Sequence, residues 1–355
     1  MNPKISILTP SFNHEKFVGL FIESVLKQTL EDFELIIVDD CSSDNNVNEI
    51  LKFKDPRIKL IQHPYNQGIN AGLNTAFENA SGEYLVFCAS DDMLTPNALE
   101  VIYKAFSENP SVKAIYPSLI KIDENGVKED KKFGEYTNKP RTEYFHDFFM
   151  HGNCLTSPGM AMRRDDFKEI LYPLDTAMCN QQDTQMHIKI LLNGEIKILD
   201  DILVMYRFDP KTSNVSARTD ITIRRENMEI ERLMDTFLAM KDIDLLQKIF
   251  AKEIAKLGIN PQEDMIEYFL GRMALLSPVE AIQVWGYHKV MEFYSTKENA
   301  KRLNDIYDFN FKTYLDLAHY TTDKTLAKYR KYKKLFKILL YMNIVLCGVI
   351  IWLIW

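Results

Sequence analysis

Cysteine is scarce in this sequence of 355 residues and follows no pattern. The five cysteines are widely spaced, odd in number and without a Cys-x-x-Cys pair: Cys41, Cys88, Cys154, Cys179 and Cys347. This spacing argues against a disulfide framework and against a cysteine-rich zinc site. No N-terminal signal peptide is expected either, because Met1-Asn-Pro-Lys4 leads directly into the strand-like Ile5-Ser-Ile-Leu8. A reduced, cytoplasmic setting is therefore expected.

Glycine-rich phosphate-binding sequences are also missing. No Gly-x-Gly-x-x-Gly follows a strand-like segment, which argues against a nicotinamide dehydrogenase. Sugar-nucleotide nucleotidyltransferases usually carry a glycine-rich, basic loop after their first strand, whereas Thr9–Val18 contains Lys16 as its only Lys or Arg. That class is kept as an alternative.

Acidic residues are absent from the end of the chain, although the whole chain has a formal net charge of −7. Residues 324–355 contain seven Lys and Arg and no Asp or Glu, which leaves 36 basic and 50 acidic residues, a charge of −14, in the first 323. An acidic body binds nucleic acid poorly, so no nucleic-acid partner is expected.

Long apolar runs are missing except at Leu335–Trp355, where Lys337 and Asn343 are the polar exceptions. The final 18 residues would span roughly 27 Å as a helix, close to the thickness of a hydrocarbon core. Trp352 and Trp355 suit a membrane interface, and the lysines upstream suit the cytoplasmic side. We expect a membrane-anchor or interfacial helix at the cytoplasmic face of the inner membrane, with a buried terminal helix as the alternative.

Strand-like and helix-like segments alternate in the first half of the chain, which predicts an α/β fold with a mainly parallel sheet. The strand candidates are Ile5–Leu8, Phe33–Val38, Ile58–Gln62, Tyr84–Cys88 and Val112–Tyr116. The helix candidates are Glu15–Gln28, Asn70–Asn79 and a segment that runs from an N-cap at Thr95, with Pro96 at N1, to about Ser107.

Polar residues follow the predicted strands where each strand ends. They are Thr9-Pro-Ser-Phe-Asn13, Asp39-Asp40, Asn66-Gln-Gly68 and Ser90-Asp91-Asp92. The carboxyl ends of strands in an open α/β sheet form the edge at which ligands bind. Two adjacent carboxylates at that edge favour a hard divalent cation, which could grip a diphosphate. Read alone, each segment also fits an ordinary turn, but together they predict a ligand site.

These segments resemble the family 2 glycosyltransferases with the GT-A fold, a Rossmann-like mixed sheet. The match covers about residues 4–217 and rests on an ordered set of motifs: Thr9-Pro-Ser-Phe-Asn13, Ile36-Ile-Val-Asp-Asp40, Asn66-x-Gly68 with Asn74, Ser81-Gly-Glu-Tyr84 and Ser90-Asp-Asp92. The resemblance implies a nucleotide-sugar donor, with a UDP-sugar as the first expectation, and a divalent metal (Mg²⁺ or Mn²⁺). The implied donor-binding residues are Thr9, Pro10, Asn13, Asp39, Gly68, Asn74 and Ser90, with Asp39 on the base and Thr9 on the nucleoside. The implied metal ligands are Asp91 and Asp92.

The resemblance also implies a catalytic base. Gln182-Asp183 precedes a helix-like segment, where the family often has an acidic pair, so Asp183 would take the proton of an acceptor hydroxyl in an inverting transfer. Asp183 also fits a carboxylate that stabilises a helix N-terminus, and His187 one turn later is expected on a helix face. Tyr206-Arg-Phe-Asp209 resembles a segment that closes over the diphosphate, so Arg207 would neutralise phosphate charge; a surface cation is the alternative.

The sequence departs from the family pattern at five positions. Ala89 replaces an aspartate of the metal motif, and Leu73 replaces an arginine near the nucleobase of the donor. Cys41 replaces a glycine, Gln182 replaces an acidic residue and Asp209 replaces a histidine. These departures leave the donor open and keep a catalytically weak nucleotide-sugar-binding or assembly protein as an alternative.

Three parts are predicted: a GT-A domain at 1–217, a helical region at 218–334 and the anchor or interfacial helix at 335–355. Within the first part, residues 120–160 are less regular and rich in aromatics, and we interpret them as a candidate acceptor-side loop. The expected activity moves a sugar to a hydroxyl of a glycan or lipid-linked acceptor in surface polysaccharide or glycoconjugate synthesis, with the tail at the membrane surface.

Overall fold

The computed structural model describes residues 2–134, 136–208, 219–319 and 331–338. The strands are β1 (Ile5–Ser11), β2 (Phe33–Asp39), β3 (Ile58–Gln62), β4 (Tyr84–Phe87), β5 (Met93–Leu94), β6 (Ala114–Ile122), β7 (Lys128–Phe133), β8 (Ala161–Arg163) and β9 (Ile196–Arg207). The helices are α1 (Val18–Leu26), α2 (Asn46–Leu51), α3 (Ile69–Glu78), α4 (Ala98–Glu108), α5 (Arg141–His151), α6 (Arg164–Ile170), α7 (Gln182–Asn193), α8 (Asp220–Asp235), α9 (Ile243–Ile249), α10 (Ala251–Leu257), α11 (Ile266–Ala274), α12 (Glu280–Tyr294), α13 (Lys297–Tyr307) and α14 (Phe311–Asp316).

All of these strands form one mixed sheet. The order is β3-β2-β1-β4-β8-β6-β9-β5, with β7 paired to β6. β1 is parallel to β2 and β4, and β2 is parallel to β3. β8 runs antiparallel to β4 and β6, and β9 runs parallel to β6. The parallel strands β3, β2, β1 and β4 match the predicted parallel sheet. The other half, β8, β6, β9 and β5, depends on pairings between strands far apart in the chain.

Two hydrophobic cores lie on the two faces of the sheet. Leu35 and Ile37 of β2 enter one core, and Ile36 and Val38 enter the other. Successive side chains of a strand point to opposite faces, so a strand covered on both sides is apolar throughout. This explains why the central strands are largely apolar in the sequence.

The helix after β5 begins later than the sequence predicts. Its N-cap is Asn97 rather than Thr95. The backbone N–H of Thr95 donates to the Leu203 carbonyl at 3.0 Å, so Thr95 continues the pairing of β5 with β9. Long-range strand pairing therefore decides the helix start here.

The interpretation of residues 120–160 as a loop is wrong, because β7 and α5 lie within this stretch, whereas its place on the acceptor side stays a prediction. The aromatics of this stretch lie on α5 and are buried: Tyr144, Phe145, Phe148 and Phe149. The Phe149 ring contacts the rings of Phe237, Phe250 and Trp285 at centroid distances of 5.0, 4.9 and 6.2 Å. These aromatics join the sheet domain to the helical region.

The helical region packs tightly on α5 and α7. One hydrophobic core extends from Leu8 in β1 to Leu317 after α14. The Ser277 hydroxyl donates to the Met150 carbonyl at 2.6 Å, which fixes the start of α12 against the end of α5. The sheet domain and the helices after residue 218 therefore share a continuous core.

The predicted helix at 335–355 lies outside the described residues except for 335–338, which end an exposed helical segment at 331–338. Among the helices that the structure describes, none combines the length and the apolar composition needed to cross a bilayer.

Candidate functional site

The carboxyl ends of β1, β2 and β4 lie side by side, and the register places Ser11 next to Asp39. Asp39 is buried; its Oδ1 accepts a hydrogen bond from Asn46 Nδ2 at 2.7 Å, and its Oδ2 accepts one from the Ser42 N–H at 3.1 Å. Asn46 Nδ2 also donates to Ser11 Oγ at 2.9 Å. The carboxylate predicted to meet the base is thus fixed between two strand ends.

Asp40 anchors the loop that follows β3. Its carboxylate is hydrogen-bonded to His63 Nδ1 at 2.7 Å and accepts the backbone N–H groups of Gln67 and Gly68, both at 2.8 Å. Gly68 has a φ of 87°, which favours glycine, and is the N-cap of α3. The loop is held beside the strand ends, and a nucleotide contact at Gly68 stays a prediction.

Asn13 joins the loops after β1 and β2. Its Oδ1 accepts the Ser43 N–H at 2.8 Å, and its own N–H donates to Ser42 Oγ at 2.9 Å. Asn13 and Cys41 have φ values of 56° and 62°, a region that asparagine tolerates better than most residues. Asn13 therefore shapes the candidate donor site through its neighbours.

Three other residues that are predicted to bind the nucleotide-sugar donor have different surroundings. Thr9 is fully buried, and its hydroxyl has no hydrogen-bond partner among the described residues. Pro10 packs under α3, where a Cβ added to Gly72 would lie 3.3 Å from Pro10 Cβ. Asn74 donates to the Leu174 carbonyl at 3.0 Å and accepts the Leu174 N–H at 2.8 Å. Asn74 thus holds a distant chain segment, a structural role that the motif did not reveal.

Ser90 and Asp91 follow β4 at the same edge. The buried Ser90 Oγ donates to Ser11 Oγ at 2.7 Å and lies 2.8 Å from His14 Nδ1. The Asp91 side chain is 17% exposed, and its Oδ2 lies 3.9 Å from His14 Nε2. Mg²⁺ and similar cations are commonly held by one or two carboxylates together with substrate phosphates and water. Asp91 fits that arrangement, although the described residues contain no cluster of three or more His, Cys, Asp or Glu suited to a metal.

Asp92, the second predicted metal ligand, points into the protein. It is 1% exposed, and its Oδ1 accepts the backbone N–H of Arg207 at 2.8 Å. Burial and the charge of Asp91 raise the pKa of Asp92 well above its ordinary value. Asp92 therefore connects the turn after β4 to the end of β9, and only Asp91 is retained as a candidate metal ligand.

Arg207 is buried at the end of β9, so the surface-cation alternative is wrong. Its Nε donates to the Asp91 carbonyl at 2.8 Å, its Nη1 donates to the Asp123 carbonyl at 2.5 Å, and its guanidinium lies 4.4 Å from the Phe17 ring centroid. Nη2 is buried and has no hydrogen-bond partner in the described part of the chain. Arg207 supports the Asp91 backbone, and its contact with a diphosphate stays a prediction.

Asp183 lies in the first turn of α7. Its Oδ1 accepts the Thr184 N–H at 2.7 Å, and its Oδ2 accepts Asn153 Nδ2 at 3.3 Å. Burial raises the pKa of Asp183 to about 6, although the hydrogen bonds from Thr184 and Asn153 lower it. A carboxylate with this pKa can accept a proton near neutral pH, as a general base must.

His187 lies one turn after Asp183 and packs in the core. Its Nδ1 is 2.8 Å from the Tyr116 hydroxyl, and its ring contacts Phe148. Burial lowers the pKa of His187 to about 3, so this imidazole is neutral near pH 7.

Glu229 on α8 holds the segment before α7, a contact that the sequence analysis missed. Its Oε1 accepts the Cys179 N–H at 3.1 Å, and its Oε2 accepts the N–H groups of Asn180 and Gln181, both at 2.8 Å. Arg225, one turn earlier, donates to Asn180 Oδ1 at 3.0 Å. Local sequence shows only an amphipathic helix, and the partners lie about 50 residues earlier. The helical region thus positions the start of α7.

Sequence comparison identifies relatives of this chain. The model of glycosyl transferase family 2 matches residues 6–171. The UDP-Glc:alpha-D-GlcNAc-diphosphoundecaprenol beta-1,3-glucosyltransferase WfgD of Escherichia coli is 28% identical over 223 residues, 62% of this chain and 83% of the relative. An uncharacterized glycosyltransferase of Methanocaldococcus jannaschii is 30% identical over 222 residues, 61% of this chain and 74% of the relative.

Solved transferase structures share the fold. Staphylococcus aureus TarS 1-349 in complex with UDP-GlcNAc has a TM-score of 0.55 at 19% identity, covering 85% of this chain and 92% of that chain. The mannosyltransferase PcManGT from Pyrobaculum calidifontis, in complex with GDP-Man and Mn²⁺, has a TM-score of 0.51 at 14% identity, covering 90% and 86%. These likenesses confirm the predicted GT-A-type mixed sheet, and together with the sequence relatives they lead to one conclusion. The chain belongs to glycosyl transferase family 2 and is a glycosyltransferase.

Proposed function

We propose that this glycosyltransferase moves a sugar, with inversion, from a nucleotide-sugar donor to a hydroxyl of a glycan or lipid-linked acceptor. A UDP-sugar is the expected donor, and Mg²⁺ or Mn²⁺ the expected metal. The observation that carries the proposal is Asp183, a carboxylate at the start of α7 whose pKa is raised to about 6 by burial. A general base of this kind is what an inverting transfer needs.

The donor is assigned to the edge formed by β1, β2 and β4. The fixed carboxylate of Asp39 would accept a hydrogen bond from the base, and Asp91 would share a divalent cation with the diphosphate. When bound, the cation would neutralise charge that develops on the leaving diphosphate. Arg207 would stabilise the turn at Asp91 through the hydrogen bond that its Nε donates to the Asp91 carbonyl.

The acceptor step follows from the chemistry of Asp183. Its carboxylate would remove the proton of an acceptor hydroxyl as that oxygen attacks the anomeric carbon, opposite the leaving diphosphate. The bonds from Thr184 and Asn153 would orient the carboxylate for this role.

The relative WfgD supports the choice of substrates, because its name specifies UDP-Glc and a diphosphoundecaprenol-linked GlcNAc. An acceptor of that kind would lie at a membrane. The basic, acid-free residues 324–355 would attract the anionic surface at the cytoplasmic face of the inner membrane, where surface polysaccharide or glycoconjugate synthesis would take place.

A panel of nucleotide sugars tests the donor and the metal. We expect release of nucleoside diphosphate from a UDP-sugar, and a fall of about 10²-fold or more when a chelator removes the metal, since such a cation supplies several kcal/mol. Release should be measured by a coupled assay with and without chelator, and with Mn²⁺ added back. No turnover of any donor would refute the proposed function, and an equal rate with chelator would refute the metal alone.

The pH dependence of transfer tests Asp183 as the base. Only its ionised form can take a proton, so kcat should fall about tenfold per pH unit below about 6 and level off above it. His187 cannot account for that limb, because its pKa is lowered to about 3. Initial rates between pH 4.5 and 8 would measure the limb, and a rate independent of pH there would contradict the assignment.

A further inference from the structure

A cavity of about 350 Å³ lies between the start of α7 and the helical region. Its walls are the end of α5, the loop before α7, one face of α8 and the first turn of α12. Cavities of this size class hold small ligands, and they occur preferentially where two structural units meet.

The cavity lies near the candidate base Asp183, which is not itself one of the lining residues. Asn153 lines it and donates the 3.3 Å hydrogen bond to Asp183 Oδ2. Gln181 also lines it, two residues before Asp183, and its Oε1 is buried without a hydrogen-bond partner among the described residues. A ligand in the cavity would therefore lie one side chain away from the Asp183 carboxylate, next to an acceptor atom that needs a donor.

The wall nearest Asp183 is held in place. Glu229 accepts the three backbone N–H groups of residues 179–181, which are the residues that lead into α7. Glu229 comes from α8, which also forms another wall of the cavity. The two walls are thus joined by main-chain hydrogen bonds to a carboxylate, so the cavity is a built feature of the fold.

The lining favours a neutral sugar. Its polar part consists of amides, one imidazole and one carboxylate, including His151, Asn153, Gln181, Glu226 and Asn227. Its apolar part includes Ile223, Ile230, Val279 and Ile282. A pyranose presents hydroxyls at its rim and C–H groups on its faces, which match such a mixture. Phosphate recognition relies on Arg or Lys, and neither occurs among the described residues that line the cavity.

We propose that this cavity is the acceptor subsite, which binds a neutral sugar ring of the acceptor so that the attacking hydroxyl reaches past Asn153 to Asp183. The proposal rests on the proposed function. The acceptor oxygen forms a bond to the anomeric carbon of the donor while the bond from that carbon to the diphosphate oxygen breaks. The hydroxyl proton goes to Asp183, and the nucleoside diphosphate leaves with the bonding electron pair.

Matched tryptophan substitutions on α8 test the subsite. Ile223 lines the cavity and is 36% exposed, whereas Ile221 is 67% exposed and does not line it. Ile223→Trp should fill the cavity and lower transfer about tenfold or more through acceptor KM or kcat, because small displacements of a reactant are costly. Ile221→Trp should stay within about twofold of the unaltered protein, as is usual for surface changes. A second pair compares Glu226→Gln, at a carboxylate that lines the cavity, with Glu231→Gln, at one that does not. Both substitutions alter hydrogen bonding without adding volume.

Two rates would be measured for each protein: transfer to short alkyl glycosides and alkyl diphosphate-linked GlcNAc, and hydrolysis of the donor without acceptor. We expect Ile223→Trp to lower transfer by a larger factor than it lowers donor hydrolysis. Unaltered transfer in Ile223→Trp, or no magnetisation transfer from the protein to any of these glycosides by NMR, would overturn the subsite. Absence of both transfer and hydrolysis in the unaltered protein would instead overturn the proposed function.

Discussion

Asp183→Asn should lower the rate of sugar transfer by about 10²–10⁴-fold, the range that a general base contributes. Asparagine matches the size of aspartate and can still accept from the Thr184 N–H, but it cannot take up the proton of the acceptor. Binding of nucleoside diphosphate with metal should stay near its original affinity. Initial rates at saturating substrate and calorimetric titration would separate the two effects.

The matched control is Asp165→Asn. Asp165 is an exposed carboxylate in the first turn of α6, so its replacement removes the same charge from a helix N-terminus without touching α7. We expect that variant to transfer sugar at the original rate. Full activity in Asp183→Asn would remove it as the base, and equal losses in both variants would assign the effect to the folding of the chain.

Asp91→Asn should lower metal-dependent transfer by about 10²-fold or more, because it removes the carboxylate that would share the cation with the diphosphate. Asp92→Asn should leave the metal dependence nearly unchanged. The Asp92 carboxylate is buried and bonded to the Arg207 N–H, an arrangement that an asparagine oxygen can reproduce. Rates over a series of Mn²⁺ concentrations, together with Mn²⁺ binding in the presence of nucleoside diphosphate, would measure both.

The adjacent pair provides its own control, since the two substitutions are chemically the same. A larger loss of Mn²⁺ affinity in Asp92→Asn than in Asp91→Asn would contradict the orientation of the two side chains. Thermal unfolding of both variants would show whether the buried position also affects stability.

The parallel strands could be predicted closely from the sequence. Ile58–Gln62 matches β3, and β1, β2 and β4 differ from their predicted bounds by one to three residues at their ends, whereas β6 ends six residues after the predicted Val112–Tyr116. β1, β2 and β4 are covered on both faces, so each is largely apolar and ends in turn residues, whereas β3 exposes Lys59 and Gln62. The start of α4 could not be predicted in this way, because the Thr95 N–H pairs with Leu203, a residue that no local window contains.

For the residues of the site, too, one part could be predicted from the sequence and another part could not. The set of polar groups at the strand ends follows from the alternation of strands and helices, since parallel strands bring their carboxyl ends to one edge. The environment of each group does not follow from it. Asn74 fits a motif for the nucleotide, yet both polar atoms of its amide are bonded to the main chain of Leu174.

By itself, the sequence determined the family, the parallel half of the sheet and the short set of candidate residues that includes Asp39, Asp91 and Asp183. Local periodicity and strand-end motifs are enough for these, because they depend on neighbours in the chain. Only the tertiary structure decided that Asp92 and Arg207 are buried, and that Glu229 holds the start of α7 beside a cavity. The physical reason is that burial, and with it the pKa of a carboxylate, depends on which distant elements pack around the group.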